Sequence, residues 1–161
     1  MELLGDRVAL APLEPAHANA LRKIVYAPEV ARWWGVQDPD FPLADEPAAT
    51  RFAILVGGEI AGMIQFDEEM EPDYRHASID VFLAPTFHGR GLGTEAVATV
   101  LRHLVEERGH HRVTIDPAAA NVAAIRSYEK AGFTRVGVMR SAWRDPDGIW
   151  QDVLLMEHVA R

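Results

Sequence analysis

The spacing of apolar side chains along the chain predicts an alternation of strands and helices. Runs of branched and aromatic residues are typical of strands, and they occupy 7–13, 51–69, 76–83 and 112–116. Within 51–69 the pair Gly57-Gly58 predicts a hairpin turn. Apolar residues recur at helical spacing in 96–105, and further helices are predicted over 15–26, 28–34 and 121–131.

The remaining segments complete one domain that we expect to span residues 1–161. The Asp- and Pro-rich stretch 36–47 predicts a loop, and 134–158 predicts a second hairpin that turns at 145–148. The predicted order of elements is therefore βααβββαβαββ. This order predicts a mixed α/β fold in which helices flank a central, mostly antiparallel sheet.

Composition is that of an ordinary globular protein, with 48% hydrophobic and 25% charged residues. No apolar run approaches the roughly 18 residues that span a bilayer, and the first residues, MELLGDRVAL, lack the features of a secretory signal. The chain has no cysteine, which excludes disulfides, thiolate metal ligands and cysteine nucleophiles. We therefore expect a cytoplasmic protein without a membrane partner.

The chain is acidic, with a formal net charge of −8 and an isoelectric point near 5.3. A nucleic-acid-binding protein would normally present a basic face, so no nucleic-acid partner is expected. A cationic small molecule fits this charge, although the need for solubility alone also explains it. None of the seven histidines shows a metal-binding spacing, since His110 and His111 are adjacent and point apart, so no metal is expected.

The stretch HGRGLGTEA, residues 88–96, places three glycines at alternate positions directly before a predicted helix. It matches a dinucleotide-binding fingerprint, but that fingerprint begins directly after a strand, whereas APTFHGR separates Leu83 from Gly91. No Gly-Lys-Ser/Thr follows, which argues against a Walker-type nucleotide loop. Two interpretations remain from these residues: a flexible turn, or a nest of backbone N–H groups that binds a pyrophosphate.

A second motif follows in IDPAAANVAAIRSYEKAGF, residues 115–133. By itself, Asn121 is explained as a helix N-cap and Tyr128 as a half-buried core residue. Together, the glycine stretch and the pattern N-x-x-A-x-x-x-Y-x-x-x-G-F resemble the GNAT superfamily of N-acetyltransferases. The predicted order of elements is also similar to that family, so the resemblance covers nearly the whole chain.

The resemblance implies that both motifs bind coenzyme A, which carries the acetyl group as acetyl-CoA. In the family the loop N–H groups hold the pyrophosphate, which implies a cradle formed by His88, Gly89, Arg90, Gly91, Leu92, Gly93 and Thr94. His88 departs from the family, which favours Gln or Arg there. The backbone of Phe82 and Leu83 would pair with the pantetheine arm as an added strand. Asn121 would reach the same arm, and Tyr128 the acetyl sulfur.

Acetyl transfer requires loss of a proton from the amine and delivery of a proton to the departing thiolate. A phenol of ordinary pKa, ~10, is a usable acid beside a thiol of pKa ~8.5, and Tyr128 occupies the family's tyrosine position. A backbone N–H at the end of the 76–83 strand would meet the oxyanion. Asp80 and Asp116 lie on adjacent predicted strands and are the candidate bases. An ordinary carboxylate is a weak base, so we expect transfer through a water, or a role for either Asp in binding the cation alone.

Within the family, the closer likeness is to aminoglycoside 6′-N-acetyltransferases, which confer antibiotic resistance. It rests on PEVARWWG (28–35), on SIDVFL and on the second motif. Trp33 and Trp34 are both explained as core residues; the resemblance implies instead that one of them packs in the core and the other stacks on a sugar ring at the rim of the cleft. The sequence leaves the oligomeric state open, and a homodimer is one possibility by analogy with the family.

Two alternatives remain beside this interpretation. The ending RSAWRDPDGIWQDVLLMEHVAR also resembles members that acetylate the N-termini of ribosomal proteins. A domain that binds acyl-CoA as a sensor is the non-enzymatic alternative. The segment DEEMEPD (67–73) has five acidic residues in seven, which is typical of a solvated loop and would also attract a polycationic drug.

Overall fold

The computed structural model describes residues 1–44 and 48–161. Its strands are β1 (Leu3–Leu4), β2 (Val8–Pro12), β3 (Thr50–Val56), β4 (Glu59–Glu69), β5 (His76–Leu83), β6 (Arg112–Ile115), β7 (Thr134–Arg144) and β8 (Trp150–Val159). Its helices are α1 (Ala18–Tyr26), α2 (Pro28–Trp34), α3 (Leu92–Arg102) and α4 (Val122–Ala131). Within the described residues the strands form one sheet in the order β1-β2-β3-β4-β5-β6-β8-β7. The pair β5 and β6 is parallel, and the other neighbouring pairs are antiparallel.

The helices cover the two faces of the sheet, as the strand β4 shows. Met63 and Ile64 are consecutive residues of β4, are both 0% exposed, and point to opposite faces. Met63 packs in a cluster with Leu21 of α1, and Ile64 packs in a second cluster with Val97 of α3. Both faces of β4 are therefore buried at its centre.

The sheet opens between β5 and β6. Register pairs join Ala77 to Val113 and Ser78 to Thr114, whereas β5 continues to Leu83. On its other side, β6 pairs with β8 along its whole length, from Arg112 to Ile115. Because α3 follows β5 and α4 follows β6, both helices begin near the carboxyl ends of these parallel strands, where α/β folds commonly bind ligands.

The predicted fold class is confirmed, with local differences. The strand β1 was not predicted, because two residues carry no measurable period. The helix predicted over 96–105 continues beyond α3 as a π-helical turn at His103–Glu107. The loop predicted over 36–47 is free of helix and strand over 36–44, and its last part, 45–47, lies outside the described residues. Among the described helices, none has both the length and the apolar character needed to cross a membrane.

Candidate active site

A cleft of about 960 Å³ opens between the separating ends of β5 and β6. The predicted site residues that line it are Trp33, Trp34, Asp80, Phe82, Leu83, His88, Gly89, Gly91, Leu92, Gly93, Thr94, Asp116, Asn121 and Tyr128. Arg90 is the exception, because its guanidinium lies 5.4 Å from the centre of the Phe87 ring and outside the cleft lining. The two sequence motifs therefore meet in one cavity, without the side chain of Arg90.

The glycine loop (residues 88–94) has a backbone that favours glycine. Gly89 has a φ of +73° and Gly91 a φ of +75°, both in the left-handed region. Gly91 is the N-cap of α3, and a helix N-terminus presents unpaired N–H groups and a positive partial charge. A Cβ atom on Gly89 would meet open space, and one on Gly93 would lie 3.4 Å from Leu83 Cδ1. The loop thus combines a bare backbone with donors, and the pyrophosphate of coenzyme A fits this chemistry.

Side-chain hydrogen bonds hold α4 beside the glycine loop. The hydroxyls of Thr94 and Ser127 lie 2.7 Å apart and share a hydrogen bond. Asn121 Oδ1 accepts a hydrogen bond from the backbone N–H of Ala124 at 3.3 Å, so Asn121 is the N-cap of α4. Asn121 also lines the cleft. Its capping role fixes the start of the helix that carries Tyr128.

Two side chains bind carbonyl groups of β5 at the cleft. The indole Nε1 of Trp34 donates to the carbonyl of Val81 at 3.1 Å, and its ring packs edge-on against Phe82 at 4.9 Å. His88 Nε2 lies 2.8 Å from the carbonyl oxygen of Leu83 and donates to it in the tautomer that carries hydrogen there. Trp34 is therefore the tryptophan tied to the core, and the carbonyl of Leu83 is already bound within the chain.

Trp33 has a different environment from Trp34. The guanidinium of Arg32 lies 4.3 Å from the centre of the Trp33 ring, at a cation–π distance. The ring is half-buried and lines the cleft. Among the described residues, the Trp33 ring packs against no other aromatic ring. Trp33 is thus the tryptophan that can contact a ligand in the cleft.

Asp80 is a half-buried carboxylate in a row of side chains that crosses three strands. The register pairs Arg51 of β3 with Gln65 of β4, and Gln65 with Asp80 of β5. Arg51 Nε donates to Gln65 Oε1 at 3.1 Å, and Gln65 Nε2 donates to Asp80 Oδ2 at 3.4 Å. Sequence reasoning missed Arg51 and Gln65, because their relation to Asp80 depends on cross-strand register.

The electrostatic environment makes Asp80 a stronger base than an ordinary aspartate. Burial raises the pKa of Asp80 to about 6; the negative charges of Asp116 and Asp67 add to this rise, and the hydrogen bond from Gln65 opposes it. Asp116 is more exposed, but partial desolvation in the cleft raises its pKa as well, and the charge of Asp67 contributes to that rise. The expectation of an ordinary carboxylate is therefore wrong for Asp80.

Tyr128 faces the same carboxylates from α4. It is 9% exposed and lines the cleft. Burial raises the pKa of Tyr128 above its ordinary value, and the charges of Asp80 and Asp116 raise it further. The assumption of an ordinary phenol pKa is therefore wrong, and the hydroxyl stays protonated throughout the neutral range.

The acidic segment 67–73 divides into parts with different roles. Asp67 is exposed, but its charge acts on Asp80 and Asp116. Glu68 instead accepts a hydrogen bond from Arg108 Nη2 at 2.8 Å and lies 2.6 Å from Nε2 of the buried His110. The rest of the segment, 69–73, is exposed to solvent. The solvated-loop interpretation thus fits 70–73, which follow β4, whereas Asp67 belongs electrostatically to the cleft.

Comparisons with known proteins match this chain to acetyltransferases. The family model described as "Acetyltransferase (GNAT) family" matches residues 19–133. Aminoglycoside N(6′)-acetyltransferase type 1 of Klebsiella pneumoniae is 30% identical over 142 residues, which cover 74% of this chain and 68% of that protein.

No group of histidine, aspartate and glutamate side chains in the described residues is arranged to hold a metal ion.

Solved structures give the same result for the fold. The structure of AAC(6′)-Ib in complex with ribostamycin and coenzyme A has a TM-score of 0.74 and 26% identity, covering 96% of this chain and 94% of that chain. Another structure of AAC(6′)-Ib contains acetyl-CoA. RimL, a ribosomal L7/L12 alpha-N-protein acetyltransferase solved with coenzyme A, has a TM-score of 0.82 at 19% identity and covers 99% of this chain and 98% of that chain. At that identity the likeness to RimL shows the fold alone.

Proposed function

Because the chain belongs to the GNAT acetyltransferase family, we propose that it transfers the acetyl group of acetyl-CoA to a primary amine of a small polycationic molecule, namely the 6′-amine of an aminoglycoside antibiotic. One observation carries the choice of amine. The cleft has a bare backbone with N–H donors at the glycine loop. It also has a cluster of carboxylates, Asp80 and Asp116 with Asp67 nearby, at the point where Tyr128 enters it. The similarity to aminoglycoside N(6′)-acetyltransferase supports the same choice.

The glycine loop and the edge of β5 form the donor side of the proposed site. Backbone N–H groups at Gly89, Gly91 and Gly93 would hold the pyrophosphate of coenzyme A, assisted by the positive end of α3. When bound, acetyl-CoA supplies an acetyl thioester that is reactive toward an amine. A backbone N–H near the end of β5 would stabilise the oxyanion that forms during transfer.

The carboxylates form the acceptor side. Asp80 and Asp116 would bind the ammonium group of the substrate, and the charge of Asp67 would draw a polycation toward the cleft. Asp80, with a pKa of about 6, is ionised above that pH and can accept a proton from the amine through a water. The pocket therefore favours a cation and provides a base of suitable strength.

Tyr128 is the proposed proton donor to the leaving thiolate. Its hydroxyl is protonated at neutral pH because burial and two neighbouring carboxylates raise its pKa. The thiolate would form in the same buried, negatively charged surroundings, which raise its basicity for the same physical reasons. The pKa values of the phenol and of the thiol thus rise together, because both groups lie in the same environment.

We propose that the reaction takes place in the cytoplasm.

Mass spectrometry of kanamycin after incubation with the protein and acetyl-CoA tests the proposal. We expect a single added acetyl group, which fragmentation would locate on the 6′-amine. Tyr128→Phe is the matched control, and its turnover should be reduced. Turnover with peptides that begin like ribosomal proteins, but not with kanamycin, would replace this function by N-terminal acetylation of proteins. Tight binding of acetyl-CoA without turnover of any amine would indicate a sensor domain instead.

A further inference from the structure

The turn between β1 and β2, residues 5–7, lies against the first turn of α3. Glu95 Oε2 accepts hydrogen bonds from the backbone N–H of Arg7 at 2.6 Å and of Val8 at 2.8 Å. Glu95 Oε1 accepts a third from Arg7 Nε at 3.0 Å. Burial disfavours the charged form of Glu95, but these donors outweigh it and hold its pKa below the ordinary value. Glu95 is therefore a charged anchor for Arg7.

The guanidinium of Arg7 also contacts the glycine loop. Its Nη1 donates to the carbonyl oxygen of Arg90 at 2.8 Å. Its Nη2 lies 3.3 Å from the position that a Cβ atom on Gly91 would take. Arg7 lines a separate, smaller depression, whereas Gly91 lines the cleft. Arg7 thus approaches the loop from outside the proposed coenzyme site.

This contact controls the direction of one backbone donor. The carbonyl of Arg90 and the N–H of Gly91 belong to the same peptide group, and in a trans peptide they point in opposite directions. Holding the carbonyl toward Arg7 therefore holds the N–H of Gly91 on the opposite side. Because glycine rotates easily, loss of the contact would let this peptide turn and present an acceptor to the anion in place of a donor.

We propose that Arg7, oriented by Glu95, is a positioning residue for the pyrophosphate-binding backbone of the glycine loop. This inference rests on the proposed binding of coenzyme A. It assigns a role in coenzyme affinity to a residue that lies more than 80 positions before the loop, since the bond to Arg90 spans a sequence separation of 83.

The matched control is Arg102, which also ties the N-terminal segment to α3. Arg102 Nη2 donates to the carbonyl of Leu4 at 3.4 Å, at the far end of α3 from the glycine loop. Arg7→Ala and Arg102→Ala therefore both loosen this segment, but Arg7→Ala alone removes the contact to Arg90. Coenzyme A binding is measured by calorimetry. Pantetheine, which lacks the pyrophosphate, is titrated by NMR because weak binding is measurable there.

We expect Arg7→Ala to weaken coenzyme A binding by about tenfold, the effect of losing one well-oriented hydrogen bond. Pantetheine affinity should stay within about twofold, and Arg102→Ala should leave both affinities unchanged. Equal losses for the two ligands, unchanged coenzyme A affinity in Arg7→Ala, or the same loss in Arg102→Ala would overturn the inference. If the unaltered protein binds neither ligand, the coenzyme assignment itself fails and this inference with it.

Discussion

Replacing Asp80 by asparagine should stabilise the folded protein at neutral pH. The pKa of Asp80 is about 6 in the fold, against an ordinary value of 3.8. The folded protein therefore keeps the proton to a higher pH than the unfolded chain, so its stability falls as pH rises from about 4 to about 6. Above that range the buried negative charge is a constant penalty, which asparagine removes while retaining an oxygen that can accept the hydrogen bond from Gln65.

The difference between the two pKa values sets the size of the effect. It corresponds to a gain of at most about 3 kcal/mol in the free energy of unfolding when Asp80 is replaced by asparagine. For a chain of 161 residues, a gain of that upper value would raise the melting temperature by about 6 to 12 °C at most. Urea denaturation of Asp80→Asn and of the unaltered protein at a series of pH values from 3.5 to 8 would show the difference growing through the interval between about 4 and 6.

Asp145→Asn is a control with the opposite sign. Backbone and side-chain hydrogen bonds from Ile149 and Gln151 hold the pKa of Asp145 below its ordinary value, so its ionised form is stabilising and its replacement should lower stability at neutral pH. If Asp80→Asn left stability unchanged or lowered it at pH 7, the burial argument for Asp80 would be refuted. A gain of the same size at every pH would refute its electrostatic origin.

The remaining predictions concern catalysis and packing. On the acid side of the pH profile, kcat/KM should increase as Asp80 ionises near pH 6. Asp116→Asn should move this increase to lower pH, because a neighbouring negative charge is gone. An unchanged profile would contradict the coupling between the two carboxylates. Tyr128→Phe should lower kcat by about 100-fold with unchanged calorimetric affinity for acetyl-CoA, and full kcat would exclude Tyr128 as the acid. Trp34→Ala should lower the free energy of unfolding by about 3 kcal/mol in urea denaturation. Trp33→Ala should chiefly raise KM for the amine. Equal losses of stability in the two variants would contradict the different packing of the two rings.

Most elements of the fold could be predicted because their signals are local. Helical spacing in 96–105 and the glycine that ends α4, Gly132, can be recognised within a few residues. The glycine loop and the Asn121–Tyr128 motif could likewise be recognised, because each is a single continuous stretch of sequence. In the structure both line the same cleft. The prediction failed at β1, where two residues form a strand because β2 pairs with them.

The environment of the carboxylates could not be predicted, because it depends on pairing between distant strands. The row Arg51, Gln65 and Asp80 requires the register of β3 on β4. A shift of that register occurs between Ile54 and Leu55 in the β3–β4 hairpin. No local pattern reveals such a shift. Without it, the register set at the turn would place Arg51 opposite Ile64, whose side chain points to the other face of the sheet. Burial of Asp80, which dominates its pKa, is likewise a property of the assembled layers.

The pairing of β6 with β8 has a consequence for how relatives of this chain can diverge. Asp116 directly follows β6, and the next residues are fastened to β8 by hydrogen bonds from Leu154 N to the carbonyl of Pro117 at 2.8 Å and from Ala119 N to the carbonyl of Asp152 at 2.9 Å. The family match ends at residue 133, so these supports lie outside it. A fragment cut at that boundary would keep both motifs and lose the strand that supports the backbone next to Asp116. Under the proposed function, sequence changes in β8 would therefore alter the acceptor side of the cleft while the two motifs stay unchanged.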